Sequence, residues 1–311
     1  KLQASIEPTL TLVLGGLLSV ASPYFLTAGN LSNILVQASV IALLAGGQTF
    51  VILTGGVDLA VGALTALAGA VSGYMMVKLG IDPYVAIVAA LAIGAAVGLF
   101  NGYLVAFVGI PSFIVTLGGL TLWRGLAFEA TGGFDNAGLP DPLPFLGYGH
   151  FLGIPMPILI TAIYFTVMAF VLSSTKLGRY VYAMGSNEMG ARQVGINIRW
   201  YKLSVYVVSG LSCALGAIVL MARMDSSSGK MAQMFELDAN ALAFLCLDAF
   251  RFFHDHIGVH HDQAAIRIVD EAFVAGFGDH ARNGFRAQAD IQHGFHHARH
   301  GLARARPAGY E

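Results

Sequence analysis

The segment 54–62, Thr-Gly-Gly-Val-Asp-Leu-Ala-Val-Gly, places a carboxylate, that of Asp58, between two apolar runs. A carboxylate at membrane depth is costly unless it is paired or faces water, so Asp58 is a candidate for a transport pathway. The alternative is that Asp58 caps the next helix by accepting backbone N–H groups. The two roles are compatible, because a broken helix that lines a pathway also needs a cap.

A second group of residues lies between Gly185 and Gly195. Glu188 and Arg192 are four residues apart, so they can form an ion pair on a short helix. The same helix would carry a small apolar surface, formed by Met189, Ala191 and Val194. Such a helix could dock into a groove on a partner protein or lie on the membrane surface.

Three further polar residues lie within apolar runs. Arg124 and Glu129 could line a path, although reaching to the membrane interface or pairing with each other is the simpler interpretation. Asn101 is a candidate for the pathway, and the alternative role for its amide is a helix–helix hydrogen bond.

Nine of the ten histidines fall in residues 241–311. Their spacings include His254-x-His256, His260-His261 and His293-x-x-His296-His297-x-x-His300. Imidazoles at such spacings could bind a transition metal. Enrichment in His, Arg and Ala without periodicity is also what translation of GC-rich DNA in a wrong frame produces. We favour the second interpretation, because no sequence feature supplies the scaffold that a defined metal site needs.

The composition is that of a membrane protein. Of 311 residues, 56% are hydrophobic and only 11% are charged, against about 25% charged in a soluble chain. The formal net charge of -1 gives no basic field for nucleic acid. The sole Gly-Lys pair, Gly229-Lys230, lacks the rest of a phosphate-binding loop, and H-E-x-x-H and G-x-S-x-G are absent. We therefore expect neither ATP hydrolysis nor other catalysis by this chain, and no catalytic residue, metal ligand or cofactor.

Apolar runs long enough to cross a bilayer, which needs about 20 residues, occur before residue 240. They lie near 8–26, 34–53, 57–78, 84–108, 111–130, 156–173 and 202–222. The sequence thus predicts an all-α fold, a polytopic membrane helix bundle with about seven spans. Small residues at helical spacing predict close-packing faces at Gly62, Ala66, Gly69, Gly73 and at Gly94, Gly98, Gly102.

The basic residues predict the orientation. Loop 174–202 holds five of the ten Lys and Arg residues of the first 240, so we place it and the N-terminus in the cytoplasm. Loop 131–155 has no Lys or Arg and is expected outside, as an irregular cap. After the last run the chain is expected outside again, as the loop 222–240.

Four stretches together resemble a known family: 50–62 (FVILTGGVDLAVG), 176–188 (KLGRYVYAMGSNE), 191–197 (ARQVGIN) and 235–239 (FELDA). They resemble the inner-membrane permeases of bacterial ABC importers for monosaccharides, the ribose, xylose and arabinose group, over about residues 8–240. The resemblance implies a multi-pass protein of the bacterial inner membrane, surrounded by membrane lipid. Its implied mechanism is alternating access. The implied partners are a second copy of the permease or a close relative, two cytoplasmic ATPase domains and a periplasmic sugar-binding protein, but not nucleic acid.

The resemblance also implies roles for particular residues. The loop with Glu188, Ala191, Arg192 and Gly195 would be the coupling helix that contacts the ATPase. Asp58 and Asn101 would lie near the translocation pathway.

The match to the family stops near residue 240. There the family continues with a glycine-rich segment and about three more membrane helices, which residues 241–311 do not resemble. We therefore expect a transmembrane permease region at 1–240 and an aberrant His-rich tail at 241–311 that comes from a frameshift or a misjoined gene end. As written, such a chain is expected not to transport. The alternatives are an ion-coupled secondary transporter using Asp58 and a metal-binding membrane protein using the tail.

Overall fold

The computed structural model describes residue 13 and residues 15–244, which lie within one compact unit. The α-helices with defined bounds are α1 (Ala28–Leu53), α2 (Val61–Val77), α3 (Pro83–Tyr103), α4 (Ser112–Thr131), α5 (Leu143–Tyr148), α6 (Met156–Ser174), α7 (Lys176–Ser186), α8 (Glu188–Gln193) and α9 (Ile198–Met224). A π-helical turn, Leu104–Val108, extends α3, and residues 15–21 and 235–244 are also helical. The same part of the chain contains four two-residue strands: β1 (Asn136–Ala137), β2 (His150–Phe151), β3 (Ile154–Pro155) and β4 (Ser226–Ser227).

Among the described residues, five helical segments are long and apolar enough to span a membrane: α1, α3 with its π-helical extension, α4, α6 and α9. The run predicted at 57–78 forms the shorter apolar helix α2, of 17 residues. The predicted run 8–26 reaches beyond the described residues. The polytopic helix bundle expected from the sequence is therefore confirmed.

Local sequence signals set several helix boundaries. The Thr27 hydroxyl accepts the Asn30 N–H at 3.3 Å and caps α1. Asp82 caps α3 by accepting the Tyr84 N–H at 2.9 Å, and Pro83 follows at the first helical position, where a missing N–H is harmless.

Helix α9 lies at the centre of the bundle, packed against α1, α2 and α3. Gly94 of α3 and Gly210 of α9 meet so closely that a Cβ on either would overlap the carbonyl group of the other. A Cβ on Gly98 would lie 3.0 Å from the Val207 Cα. The predicted glycine face of α3 is thus confirmed as a site of close helix approach.

The glycine face of α2 packs against an irregular segment of the chain. Gly73 contacts Ser227, and a Cβ on Gly69 would lie 3.2 Å from the Met231 Cε. Gly62 faces Ala232, whose carbonyl oxygen would be 2.6 Å from an added Cβ. Residues 227–236 therefore run antiparallel along α2.

The expectation that 222–240 forms an outside loop is therefore wrong for most of that segment. Its backbone returns along α2, because the small side chains of α2 leave room for it. A sequence count of crossings misses this segment, since it is neither continuously apolar nor continuously helical.

Each end of the bundle brings together segments that the sequence predicts on the same side of the membrane. At one end, β1 pairs with β4, and the Leu139 N–H donates to the Asp225 Oδ1 at 3.0 Å. This contact joins loop 131–155 to the end of α9, two places expected on the outside. At the other end, the rings of Phe107 and Trp200 are 5.4 Å apart, in segments both expected on the cytoplasmic side.

Candidate functional site

The centre of the bundle contains a break between α1 and α2. Helix α1 ends at Leu53 and α2 begins at Val61. Gly55 adopts a φ of +74°, a backbone conformation that glycine allows, and its N–H turns back to the Ile52 carbonyl at 2.9 Å. Helix α4 holds the break, because Ser112 accepts the Val57 N–H at 3.2 Å.

Asp58 lies buried within this break, with 3% of its surface exposed. Its Oδ1 accepts the Ala60 N–H at 2.8 Å, and its Oδ2 accepts the Ser209 hydroxyl of α9 at 3.4 Å. Its backbone carbonyl accepts the side-chain amides of Gln48 at 2.6 Å and Asn240 at 3.3 Å. Asp58 therefore joins α1, α9 and the segment 235–244.

The predicted capping role of Asp58 is only partly right. The N-cap position of α2 is occupied by Ala60, whose side chain cannot accept a hydrogen bond. Asp58 accepts the N–H of Ala60 and not an N–H from inside the helix. Across residues 15–244, no Lys or Arg lies within 4 Å of the Asp58 carboxylate. Its hydrogen bonds thus come from neutral donors.

The structure does not connect Asn101 to this network. Asn101 is 2% exposed in α3, and its Oδ1 has no hydrogen-bond partner in the described part of the chain. Neither a bond from this oxygen to a neighbouring helix nor a bond to Asp58 is formed. A buried amide oxygen without a partner is uncommon, and a water molecule or a polar ligand at this position would satisfy it.

Arg124 binds the backbone of the irregular segment beside α2. Its Nη1 donates to the carbonyls of Met231 at 2.5 Å and Gly229 at 3.2 Å, and its Nη2 donates to that of Ala232 at 3.4 Å. Arg124 forms no ion pair with Glu129, so the pairing interpretation is wrong. The partners are more than 100 residues away in the sequence, beyond the reach of local spacing.

The second group of candidate residues lies on the helix pair α7 and α8. The Asn187 side chain caps α8 by accepting the Gly190 N–H at 2.8 Å. Glu188 binds Lys202 of α9 at 2.6 Å and Arg192 at 3.6 Å. The predicted Glu188–Arg192 pair is therefore present, but the shorter contact goes to Lys202, which the sequence spacing did not reveal.

The remaining residues of α8 divide between an inner and an outer face. Ala191 is buried, with 5% exposed, whereas Met189 and Val194 are 72% and 77% exposed. Gly195 adopts a φ of +87° just after the helix and lets the chain turn towards α9. The predicted apolar surface therefore consists of Met189 and Val194, while Ala191 anchors the helix to the bundle.

A bundle of long apolar helices around a buried polar turn, with a short exposed helix at one end, is the architecture of a multi-pass membrane protein. The chain belongs to the family described as branched-chain amino acid transport system / permease component, which matches residues 30–248. It is therefore a transport subunit of the bacterial inner membrane rather than an enzyme.

Individual relatives match over most of the chain. The ribose import permease of Escherichia coli (strain K12) is 42% identical over 238 residues, which cover 75% of this chain and 74% of the relative. The ribose import permease of Bacillus subtilis (strain 168) is 39% identical, covering 74% and 71%. The D-allose transport system permease of Escherichia coli (strain K12) is 32% identical, covering 73% and 70%. No solved structure gives a significant match to the chain.

Proposed function

We propose that this protein is the transmembrane subunit of an ABC importer that moves a monosaccharide across the inner membrane. The observation that carries the proposal is the 42% identity to a ribose import permease over three quarters of both chains. The other two relatives described above import ribose and allose, which are also monosaccharides. An ion-coupled secondary transporter is not favoured, since none of these relatives is described as one.

In this proposal α8 is the coupling helix that contacts a cytoplasmic ATPase subunit. Three side chains on its outer side, Met189, Arg192 and Val194, are exposed and available for a partner. Glu188 and Ala191 tie α8 to the bundle, and Gly195 sets the direction in which the chain leaves it. The partner subunit hydrolyses ATP. Its conformational change moves α8, and α8 passes this movement on to the bundle.

The translocation pathway in this proposal passes the turn between α1 and α2, near Asp58. The carboxylate and carbonyl of Asp58 gather polar side chains from three segments at the middle of the bundle. Asn101 contributes the unpartnered amide oxygen on α3. Polar groups of this kind are compatible with the passage of sugar hydroxyls, and alternating access requires that the surrounding helices shift around them.

A second copy of the permease is proposed to cover the outer face of α4. This helix is the least apolar of the five long segments, and its Thr121 and Glu129 are exposed. Exposed Gly118 and Gly125 lie along the same face. A carboxylate facing lipid is costly, so a protein partner at this face is favoured over bilayer. A periplasmic sugar-binding protein would approach the opposite, outer end at loop 131–155.

Residues 241–311 are proposed to come from a change of reading frame near residue 240. The charge and histidine content changes there, and the match to the family ends at residue 248. The tail histidines that could bind a metal lie outside the described residues.

The test compares two chains, each assembled with an ATPase subunit and a sugar-binding protein in proteoliposomes. One is the chain as written, and the other carries the continuation from the alternative frame after residue 240. We expect the second chain to take up ribose when ATP is supplied, even in the presence of an uncoupler. We expect no uptake by the first chain. No ATP-dependent uptake of ribose or allose by the second chain would contradict the importer function. Equal uptake by both chains would contradict only the proposal about the tail.

A further inference from the structure

A groove opens where the π-helical end of α3 meets the first turn of α9. Its volume is about 380 Å³, and its lining includes Phe107, Arg192, Ile196, Asn197, Arg199 and Trp200. This volume lies within the range of roughly 300–1,000 Å³ that is typical of small-molecule sites. We call it the Arg199 groove. It lies at the end of the bundle that the positive-inside pattern places in the cytoplasm.

The Arg199 groove is suited to an anion. Its lining residues include two guanidinium groups, those of Arg192 and Arg199, and no Asp or Glu. The nearby acid is Glu188, 3.6 Å from Arg192, but its shorter contact is with Lys202. Arg192 has 69% of its side chain exposed and Arg199 is exposed, so both can turn towards a ligand.

The first turn of α9 adds to this positive character. A helix leaves the N–H groups of its first turn unpaired, and these carry a partial positive charge. The Asn197 side chain does not cap them. Arg199 and Trp200 belong to this first turn, so their backbone N–H groups add donors to the groove that both residues line.

A row of aromatic rings connects the groove with the membrane-facing side of α3. Tyr103 stacks on Phe107 with ring centroids 5.5 Å apart, and Phe107 meets Trp200 edge to face at 5.4 Å. Tyr103 is 53% exposed and Trp200 is 59% exposed. Trp and Tyr concentrate at the membrane interface, with apolar rings towards the acyl chains. The occupant that fits is therefore anionic at one end and apolar at the other.

We propose that the Arg199 groove binds the phosphate group of an anionic phospholipid from the cytoplasmic leaflet. Arg199 and the first turn of α9 hold the phosphate, and an acyl chain lies along Phe107 and Tyr103. Basic pockets between helices on the cytoplasmic side are suited to such headgroups. A soluble anion or an acidic protein surface would leave the aromatic row uncovered. The proposal depends on the membrane placement of the bundle and is independent of the transported substrate.

The test uses the tryptophans of the full-length chain. The chain has two, buried Trp123 and exposed Trp200, so Trp123→Phe leaves Trp200 as the reporter. In phosphatidylcholine nanodiscs, brominated phosphatidylglycerol should quench Trp200 at a several-fold lower mole fraction than brominated phosphatidylcholine does. Arg199→Gln should remove this preference. Arg179→Gln, which changes an exposed arginine of α7 outside the groove, should keep it.

A second readout avoids the Trp123 substitution. In native mass spectrometry, the chain with both tryptophans should retain bound phosphatidylglycerol. The Arg199→Gln variant should lose this lipid, and the Arg179→Gln variant should keep it. Equal quenching by the two lipids would overturn the proposal, as would equal losses in the two arginine variants. Displacement of the lipid by millimolar inorganic phosphate would identify a soluble-anion site instead. Protection of Trp200 from brominated lipid by an added ATPase subunit would assign the groove to a protein interface.

Discussion

Lys202 and Ser209 lie seven residues apart on α9 and bind carboxylates from two separate segments. Lys202 binds Glu188 of α8 at 2.6 Å, and Ser209 donates to Asp58 in the turn between α1 and α2 at 3.4 Å. Seven residues are about two helical turns, a rise of about 10 Å along the axis. One face of one helix therefore connects the proposed coupling helix with the proposed pathway. A displacement of α8 can reach Asp58 through α9 without an intervening loop.

The Asp58 network gives a prediction about stability. Asp58→Ala would leave the buried Ala60 N–H and the Ser209 hydroxyl without their acceptor, at a cost of about 1–3 kcal/mol each. Asp58→Asn keeps one oxygen acceptor and should cost less. Thermal unfolding of the two variants in detergent tests the order. Equal stability of Asp58→Ala and the unchanged chain would show that these hydrogen bonds are not formed.

The contact between α3 and α9 gives a second prediction. Gly94→Ala would drive a methyl group into the Gly210 carbonyl and should destabilise the bundle by about 1–3 kcal/mol. Gly29→Ala is the matched control, because nothing lies within 4 Å of a Cβ added there. We expect the control to unfold at or above the temperature of the unchanged chain, since alanine favours helix by about 1 kcal/mol. Similar unfolding temperatures for both variants would contradict the close approach of the two glycines.

Apolar length predicted most of the membrane-spanning helices, because a bilayer imposes that length on any helix. The glycine faces of α2 and α3 were also predictable from spacing, but their partners were not. Gly94 meets α9, whereas Gly69 meets the irregular segment at Met231. The partner of a glycine face depends on how segments that are distant in the sequence pack together. The residues around the glycines therefore do not predict this partner.

The same distinction applies to the polar residues. The Glu188–Arg192 pair follows from helical spacing, because both residues share one turn of α8. Lys202 and Arg124 bind partners 14 and more than 100 residues away, so no local pattern indicates them. The sequence predicts the segment 227–236 as an outside loop because it lacks a continuous helical pattern. Three of its backbone carbonyls accept hydrogen bonds from the Arg124 side chain.

Arg124 gives a third prediction, about local order. Arg124→Met would remove the donors from three backbone carbonyls of the segment 229–232. Hydrogen–deuterium exchange at residues 229–236 should then rise several-fold, while exchange in α6 stays unchanged. Arg124→Lys retains a positive donor and should show a smaller rise. An unchanged exchange pattern in Arg124→Met would mean that Arg124 does not hold this segment.

The proposed second copy gives a fourth prediction. In a Cys246→Ser background, in which the remaining Cys213 is buried, Thr121→Cys on the outer face of α4 should form disulfide-linked dimers in membranes. Val167→Cys on α6, 48% exposed, should not, because α6 is expected to face lipid. Dimers through position 167 and none through position 121 would assign the interface to α6 instead.

The link through α9 is tested most directly by a double-mutant cycle with Lys202→Met and Ser209→Ala. The measured quantity is ATP-driven ribose uptake by the assembled importer with the reading frame restored after residue 240. Ser204→Ala is the control, since among the described residues the Ser204 hydroxyl binds only within its own helix, to the Tyr201 carbonyl, at 2.8 Å. If α9 transmits movement from α8 to Asp58, each single change lowers uptake several-fold and the double change lowers it little further. Independent, multiplying losses in the double variant would contradict the link.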